Sequence, residues 1–187
     1  MLLDNKRWVA FFSHTGSEIY KLSKKIGRFP DRVITNNPPD ANINKQLKNR
    51  VDIVYVRDKP DDADYERVIK DEDSVVTLHG WMRIVPKKIC KHYEIYNLHP
   101  GLITKYPELK GADPQKRVAE EPDESKYKKV GCVIHRVIHK VDEGKVLASC
   151  STSNHFPGEA TLTTHLHEMA TQLWVDFLTH ETDQPIP

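Results

Sequence analysis

Short apolar runs alternate with longer polar segments through the first half of the chain. Runs long enough for buried strands lie at 8–12, 32–35, 52–56, 74–78 and 95–98. Helical spacing relates the apolar residues that follow the first run, and a short helix is expected over 41–47; the spaced residues are Ile19, Leu22 and Ile26. This alternation predicts an α/β fold, in which a mostly parallel, twisted sheet carries helices on both faces.

The second half of the chain has a different pattern. Two strand-like runs, 131–137 and 145–150, flank Asp142-Glu143-Gly144, which predicts a late antiparallel pair joined through a tight turn. The segment 161–179 reads as one amphipathic helix. Residues 120–129 are charged and predict a solvated loop, and 183–187 are expected to fray.

Length and composition narrow the class of protein. A chain of 187 residues with 38% hydrophobic and 29% charged residues predicts one domain, 1–187, with a sizeable core. The formal net charge of +1 disfavours nucleic-acid and anionic-membrane partners. No apolar run approaches the roughly 20 residues of a membrane-spanning helix. The three widely spaced cysteines disfavour a disulfide framework, so we expect a cytoplasmic protein.

Candidate chemistry lies where predicted strands end, because ligands of open α/β sheets bind beyond the carboxyl ends of the strands. The turn 13–17 opens directly into a helix and could hold a phosphate, although an ordinary capped turn explains it equally well. Asn97 and His99 point to one side of a strand, so an amide donor and an imidazole could stabilise an oxyanion. A histidine that merely caps the strand end is the alternative.

Asp142 alone fits ordinary turn chemistry before a glycine. Near His99, however, its carboxylate would raise the imidazole pKa and favour the charged ring. The ten histidines show neither His-Glu-x-x-His nor a companion Cys-x-x-Cys, so we expect no metal site.

Four ordered segments together resemble the folate-dependent formyltransferase family, from Trp8 to about Phe177. The first is the turn after the first strand, 11–17, and the second is Leu78-His79-Gly80-Trp81-Met82-Arg83-Ile84-Val85. The third is Asn97-Leu98-His99-Pro100 with Lys110-Gly111 downstream, and the fourth is 131–135 followed by Asp142-Glu143-Gly144. The resemblance implies a Rossmann-like formyltransferase fold and a cytoplasmic enzyme of one-carbon metabolism.

The resemblance also implies a reaction without metal or covalent enzyme intermediate. The formyl group of 10-formyltetrahydrofolate, a co-substrate, would pass to the primary amine of a small phosphorylated acceptor. Glycinamide ribonucleotide of purine synthesis is the leading expectation. Asn97 and protonated His99 would stabilise the oxyanion, while Asp142 orients and charges His99. A homodimer is compatible with this family but is left open.

By the same resemblance, two segments would form the folate crevice and one loop would hold the acceptor phosphate. The crevice residues are Met82, Arg83, Ile84, Val85, Ile138, His139, Lys140 and Val141. The phosphate loop residues are Thr15, Gly16, Ser17 and Glu18. Because pterin contacts are mostly main-chain, the crevice side chains predict little by themselves.

Three departures from the family pattern concern the acceptor. Glu18 places a carboxylate in the phosphate loop, where it would repel a phosphate unless turned away. Ala170 occupies the position at which the last helix usually carries a glutamate, and Gly111-Ala112-Asp113-Pro114 is similar to enzymes that formylate nucleotide-linked amino sugars. None of the three changes Asn97, His99 or Asp142.

Four alternatives to the leading function therefore stay open or are disfavoured for stated reasons. N-formylation of a nucleotide-linked amino sugar, or of another phosphorylated amine, is the runner-up. A hydrolase that releases formate could use the same three residues, and a non-catalytic ligand-binding module could use the same scaffold. Formylation of methionyl-tRNA is disfavoured because the chain has no basic surplus.

Overall fold

The computed structural model describes residues 2–123 and 125–179, and the expected fraying of 183–187 lies outside them. A single seven-stranded sheet has the order β3-β2-β1-β4-β5-β6-β7. Its strands are β1 (Trp8–Phe12), β2 (Arg32–Thr35), β3 (Ile53–Tyr55), β4 (Val75–His79), β5 (Glu94–His99), β6 (Lys129–Arg136) and β7 (Val146–Ser153). The helices are α1 (Ser17–Ile26), α2 (Lys45–Lys48), α3 (Asp62–Ile69), α4 (Lys87–His92), α5 (Pro114–Ala119) and α6 (Glu159–Thr179), with a 3₁₀ turn at Pro107–Leu109.

The first five strands pair in parallel, whereas β6 pairs antiparallel with both β5 and β7. The predicted α/β class, with its late antiparallel pair, is confirmed. Within the described residues, no helix is long and apolar enough to cross a membrane.

Strand β1 shows why the strands in the first half of the sequence are continuous apolar runs. Trp8, Ala10 and Phe12 pack with the clusters under α1, α2 and α6, whereas Val9 and Phe11 pack with the cluster under α3 and α4. All five side chains are at most 1% exposed. A strand covered on both faces has no polar face, so its sequence does not alternate.

Two local predictions differ from the structure. The helix expected over 41–47 is shorter, because the side chain of Asn44 accepts a hydrogen bond from the Leu47 N–H and starts helix α2 only at Lys45. The expected tight turn between the last two strands is wrong. Residues 137–145 instead form a longer connection that folds back over the sheet and carries Asp142 towards β5.

The face of the sheet near β5 and β6 positions the candidate site. Ile95 and Val137 belong to the core cluster on the α3 and α4 face, and Asn97 and His99 point to the same side as Ile95. The opposite side, including Tyr96 and Ile134, packs on α6. Helices cover this side of β5 at Ile95, whereas Asn97 and His99, nearer the end of the strand, face loop residues.

Candidate active site

Three predicted residues meet at the end of β5. Asp142 places its Oδ2 atom 3.2 Å from Nδ1 of His99, and Asn97 precedes His99 by two residues on the same strand face. His99 and Asp142 are buried, with 5% and 8% exposure. The structure thus brings together the amide, the imidazole and the carboxylate that the sequence singled out.

Asp142 is held by its backbone as well as by its partners. Its φ of 51° lies in the left-handed region, which aspartate and asparagine tolerate better than most residues. The N–H of Gly111 donates to Oδ2 at 2.8 Å, and Oδ1 lies 3.2 Å from Nε2 of His135. Burial raises the pKa of the Asp142 carboxyl, but His135, His99 and Gly111 together lower it by more. The net pKa is therefore below its ordinary value.

His135 is a site residue that the sequence reasoning missed. In the sequence it is only the last residue of the segment 131–135, with no role assigned, whereas the β5–β6 register places it directly opposite Asn97. Its Nε2 atom lies 3.3 Å from Nδ2 of Asn97, and its Nδ1 atom donates to the carbonyl oxygen of Arg136 at 3.0 Å. Nε2 can therefore accept from Asn97 when the ring is neutral or donate to Asp142 when it is charged.

The His99 ring lies between two hydrogen-bond acceptors. Nε2 donates to the carbonyl oxygen of Leu109 at 2.8 Å, and Nδ1 faces Asp142. Only the charged ring donates to both partners at once. Burial nevertheless lowers the pKa of His99 below its ordinary value, outweighing the opposing effects of Asp142 and Leu109. Asp142 does raise this pKa, as expected, but the larger effect of burial leaves the net pKa low and favours the neutral ring.

The loop 109–112, which contacts His99 and Asp142, is held by Arg117 of α5. Its guanidinium donates to the carbonyl oxygens of Leu109, Lys110 and Ala112 at 3.1, 2.9 and 2.7 Å. The same loop supplies the Leu109 carbonyl to His99 and the Gly111 N–H to Asp142. Arg117 therefore sets the position of both contacts, and no sequence motif pointed to it.

A cavity of about 360 Å³ opens beside these residues. Its lining contains all eight residues assigned to the folate crevice, together with Asn97, His99, His135 and Asp142. Three apolar side chains at this cavity are exposed, namely Met82 at 58%, Ile84 at 69% and Val141 at 53%. Exposed apolar walls around a few polar groups are typical of a site for a planar organic ligand.

The Arg83 side chain does not contribute its charge to this cavity. Its guanidinium pairs with the carboxylate of Asp58 and donates to the carbonyl oxygens of Asp58 and Met82. A ligand in the crevice would therefore meet the Arg83 main chain and not its free charge.

The predicted phosphate loop lies at the end of β1, the neighbour of β4. Gly16 adopts a φ of 72° at the start of α1, and no side chain caps this helix end. Thr15 Oγ1 and Ser17 Oγ lie 2.8 Å apart, and Asn44 donates to Ser17 Oγ at 3.2 Å. The N–H of Ser17 donates to Thr15 Oγ1 at 3.3 Å, and the following N–H groups of the first turn are available to an anion.

Glu18 is turned away from this role. Its Oε1 atom lies 3.4 Å from Nδ1 of the buried His79. Burial raises the pKa of the Glu18 carboxyl, but His79, His167 and Trp174 together lower it by more. The net pKa is therefore below the ordinary value. Only the backbone N–H of Glu18 remains suited to a phosphate, and its carboxylate serves the interface between α1, β4 and α6.

Comparison with known proteins gives consistent similarities. The sequence profile of the family described as "Formyl transferase" matches residues 19–176. The phosphoribosylglycinamide formyltransferase of Dictyostelium discoideum is 36% identical over 90 residues, which are 43% of this chain and 42% of that protein. The protein of the same name from Schizosaccharomyces pombe is 34% identical over 85 residues, 43% of this chain and 40% of that protein. Each match therefore spans about two fifths of the curated relative.

Solved structures share the fold. Phosphoribosylglycinamide formyltransferase from Bacillus halodurans superposes with a TM-score of 0.74 at 24% identity, covering 97% of this chain and 100% of that one. A formyltetrahydrofolate deformylase from Pseudomonas putida superposes with a TM-score of 0.67 at 19% identity, covering 92% of this chain and 64% of that one. At these identities the likeness concerns the fold.

Proposed function

The chain belongs to the formyl transferase family, and from that premise we propose that it transfers the formyl group of 10-formyltetrahydrofolate to a primary amine. The acceptor we propose is glycinamide ribonucleotide, which places the reaction in purine synthesis. The observation that carries the proposal is the meeting of Asn97, His99 and Asp142 beside a cavity with apolar walls.

The chemistry begins with attack of the acceptor nitrogen on the formyl carbon. The electron pair of the C=O bond moves to oxygen, and the amide of Asn97 donates a hydrogen bond to that developing charge. Nε2 of His99 also donates to this charge once its hydrogen bond to the Leu109 carbonyl is broken. The ring must be protonated for this role; since burial lowers its pKa, the protonated ring is the minor form at neutral pH but gives its proton readily to the oxyanion. General acid–base help of this kind is typically worth about 10²–10⁴ in rate.

The low pKa of Asp142 keeps it ionised at neutral pH, so it can accept the proton that the attacking amine must lose. As the old C–N bond breaks, the C=O bond re-forms and its oxygen returns the proton to His99. The proton on Asp142 reaches the folate nitrogen directly or through a water. The products are a formamide and tetrahydrofolate, and the protein ends in its starting protonation state.

The crevice fits the formyl donor in volume and polarity. A cavity of about 360 Å³ lies within the usual range of roughly 300–1,000 Å³ for small-molecule sites. Met82, Ile84 and Val141 supply apolar walls that a bound pterin ring would bury, and main-chain groups of 82–85 and 138–141 supply its polar contacts.

The proposed site for the acceptor phosphate is the N-terminal end of α1, where backbone N–H groups of the first turn would donate to it. Because Glu18 is paired with His79, its negative charge is directed away from the helix end and does not oppose this assignment. Formylation of a nucleotide-linked amino sugar uses the same chemistry and the same phosphate contact. This second acceptor is tested because Ala170, buried on α6, stands where the last helix of the family usually carries a glutamate.

A cytoplasmic location belongs to the same proposal and is supported by three cysteines that occur as free thiols. Whether the active species is a homodimer is tested by the mass of the purified protein in solution.

The experiment follows deformylation of 10-formyltetrahydrofolate by absorbance with three additions: glycinamide ribonucleotide, an amino-sugar nucleotide, or no acceptor. Turnover dependent on glycinamide ribonucleotide supports the proposal. Turnover with the amino sugar alone keeps the mechanism and changes the acceptor, whereas formate release without any amine identifies a hydrolase. Absence of both turnover and folate binding would overturn the proposal.

A matched pair of variants tests the folate crevice in the same assay. Ile84→Ala removes three apolar carbons from the wall. Burial of about two of them by the folate, at about 0.8 kcal/mol per methylene, corresponds to a roughly tenfold rise in the KM for the folate. Arg83→Ala removes a side chain paired with Asp58 and is expected to change that KM much less. Equal effects would contradict the assignment of the walls.

A further inference from the structure

Two cysteines face each other across the last pair of strands. The β6–β7 register places Cys132 directly opposite Cys150. Their sulfurs point to the same helix, since Cys132 Sγ lies 3.5 Å from the carbonyl oxygen of Leu166 and Cys150 Sγ lies 4.0 Å from that of Met169. Leu166 and Met169 are neighbours on one face of α6, so both thiols occupy one layer under it.

The backbone spacing suits a covalent link. Opposite residues in antiparallel strands have Cα atoms about 4.5–5.5 Å apart, within the roughly 4.4–6.8 Å found for disulfides. The backbones approach closely beside the pair, because a Cβ atom added to Gly131 would lie 1.9 Å from the carbonyl oxygen of Cys150. The glycine next to Cys132 thus lets β7 lie against β6 at this point.

The two thiols differ in reactivity. A hydrogen bond from Cys132 lowers the pKa of Cys150 to about 7, although burial and Asp176 act in the opposite direction. The hydrogen bond to Cys150 and burial raise the pKa of Cys132. Cys150, which is partly exposed on the edge strand, therefore carries the thiolate, and the fully buried Cys132 carries the thiol.

We propose that Cys150 and Cys132 form a redox-active dithiol that closes to a cross-strand disulfide on reaction with a hydroperoxide. The Cys150 thiolate attacks a peroxide oxygen, the O–O bond breaks, and the departing oxygen takes a proton to leave as an alcohol or water. The resulting sulfenic acid is attacked by the Cys132 sulfur, which expels hydroxide. That hydroxide takes the Cys132 proton and leaves as water.

The balance is two thiols and one hydroperoxide giving one disulfide, one alcohol or water, and one further water. Two electrons pass from the sulfurs to the peroxide. The disulfide closes residues 133–149 into a covalent loop, and this loop contains His135 and Asp142. The proposal does not depend on the transferase reaction, since neither cysteine touches the candidate active site.

The test treats the folded protein with hydrogen peroxide, quenches it, unfolds it and titrates its thiols. The chain has three cysteines, so the reduced protein should show all of them and the oxidised protein only Cys90. Mass spectrometry of a non-reduced digest should show the Cys132 and Cys150 peptides joined, with the loss of two hydrogens. Reduction with dithiothreitol should restore every thiol.

Three variants distinguish the roles of the thiols. In Cys132→Ser, Cys150 should stop at the sulfenic acid and be labelled by dimedone, whereas Cys150→Ser should resist oxidation. Cys90→Ser should form the same disulfide as the unchanged chain, because Cys90 lies in a different core cluster. Retention of all three thiols, or a link between two chains in place of the internal one, would overturn the proposal.

Discussion

The Oδ1 atom of Asp142 lies 3.2 Å from Nε2 of His135, so the carboxylate is shared between two histidines rather than assigned to one. Oδ2 of the same carboxylate faces His99. The second histidine also lies opposite Asn97 on the neighbouring strand. One buried carboxylate thus joins the ends of two strands, at His99 of β5 and His135 of β6.

His135 is expected to act as a positioning residue. His135→Ala removes the group that orients Asn97 and Asp142, and should lower kcat by less than the roughly 10²–10³-fold typical of a lost oxyanion donor. The KM for the folate should change little, and His135→Gln should recover part of kcat because its amide can reach the same neighbours. Steady-state kinetics of both variants provide the measurement, and a full loss of activity in both would instead indicate a direct chemical role.

The backbone at Asp142 allows a clean test of its charge. Asparagine tolerates the left-handed region, so Asp142→Asn should keep the fold and lower kcat by about 10²–10⁴. Asp142→Ala should lose activity and also stability, because its φ of 51° is unfavourable for alanine. Kinetics and urea unfolding of the pair separate the two effects, and normal turnover in folded Asp142→Asn would refute the assignment.

His99 should make stability depend on pH. Its folded pKa lies below the ordinary value of about 6.5, so the unfolded chain binds its proton first as the pH falls. Stability from the neutral ring is complete above about pH 6.5 and declines as the pH falls towards the folded pKa. His99→Asn should lack this decline when urea unfolding is compared at about pH 7.5 and about pH 5.5. An equal decline in both proteins would assign the effect to other groups.

Arg117 should matter for turnover although it lies outside the cavity lining. Arg117→Ala removes the hydrogen bonds to four loop carbonyls, those of Glu108, Leu109, Lys110 and Ala112, which should loosen both the Leu109 and the Gly111 contacts and lower kcat. Arg117→Lys should recover little, since a single ammonium cannot match the planar fork of the guanidinium. A control at Lys116, exposed on the same helix, should leave kcat unchanged. Equal kinetics in all three variants would rule out the positioning role.

The two glycines that flank α1 provide a matched comparison. Both have a left-handed backbone, Gly16 with a φ of 72° and Gly27 with a φ of 79°. Each change to alanine should cost about 1–2 kcal/mol from the backbone alone. Gly16→Ala should cost more, because its Cβ would lie 2.7 Å from Cδ2 of Leu47, whereas nothing lies within 4 Å at Gly27.

The same pair tests the phosphate loop. Gly16→Ala should also raise the KM for the acceptor, whereas Gly27→Ala should leave it unchanged because the C-terminal end of α1 is remote from the loop. Urea unfolding and acceptor kinetics report the two effects separately. An unchanged acceptor KM in folded Gly16→Ala would contradict the placement of the phosphate.

The sequence predicted the sheet well because burial on both faces leaves a clear record. Trp8–Phe12 is apolar throughout since one side contacts the α1 and α6 layer and the other contacts α3 and α4. The connection 137–145 escaped prediction, because its path is determined by contacts of Asp142 with residues distant in the chain. A turn signal before a glycine is local and carries no information about those contacts.

Part of the site depends on register and rotation, which composition does not encode. His135 belongs to the site because its strand pairs with β5 so that it meets Asn97, a neighbour 38 residues away. Glu18 leaves the phosphate loop because each helical residue turns by about 100°, which directs its carboxylate to His79. The resemblance named candidate residues, but only the fold shows which partners each side chain reaches.

The left-handed backbone at Asp142 also constrains how this chain can vary over generations. Most replacements there would weaken the fold as well as the chemistry, so they would be removed by selection even where the reaction is dispensable. Asparagine is the exception, and a single G-to-A change in the first codon position produces it. A duplicated copy of this gene could therefore lose the proposed activity in one step while retaining its sheet and the cavity beside β5.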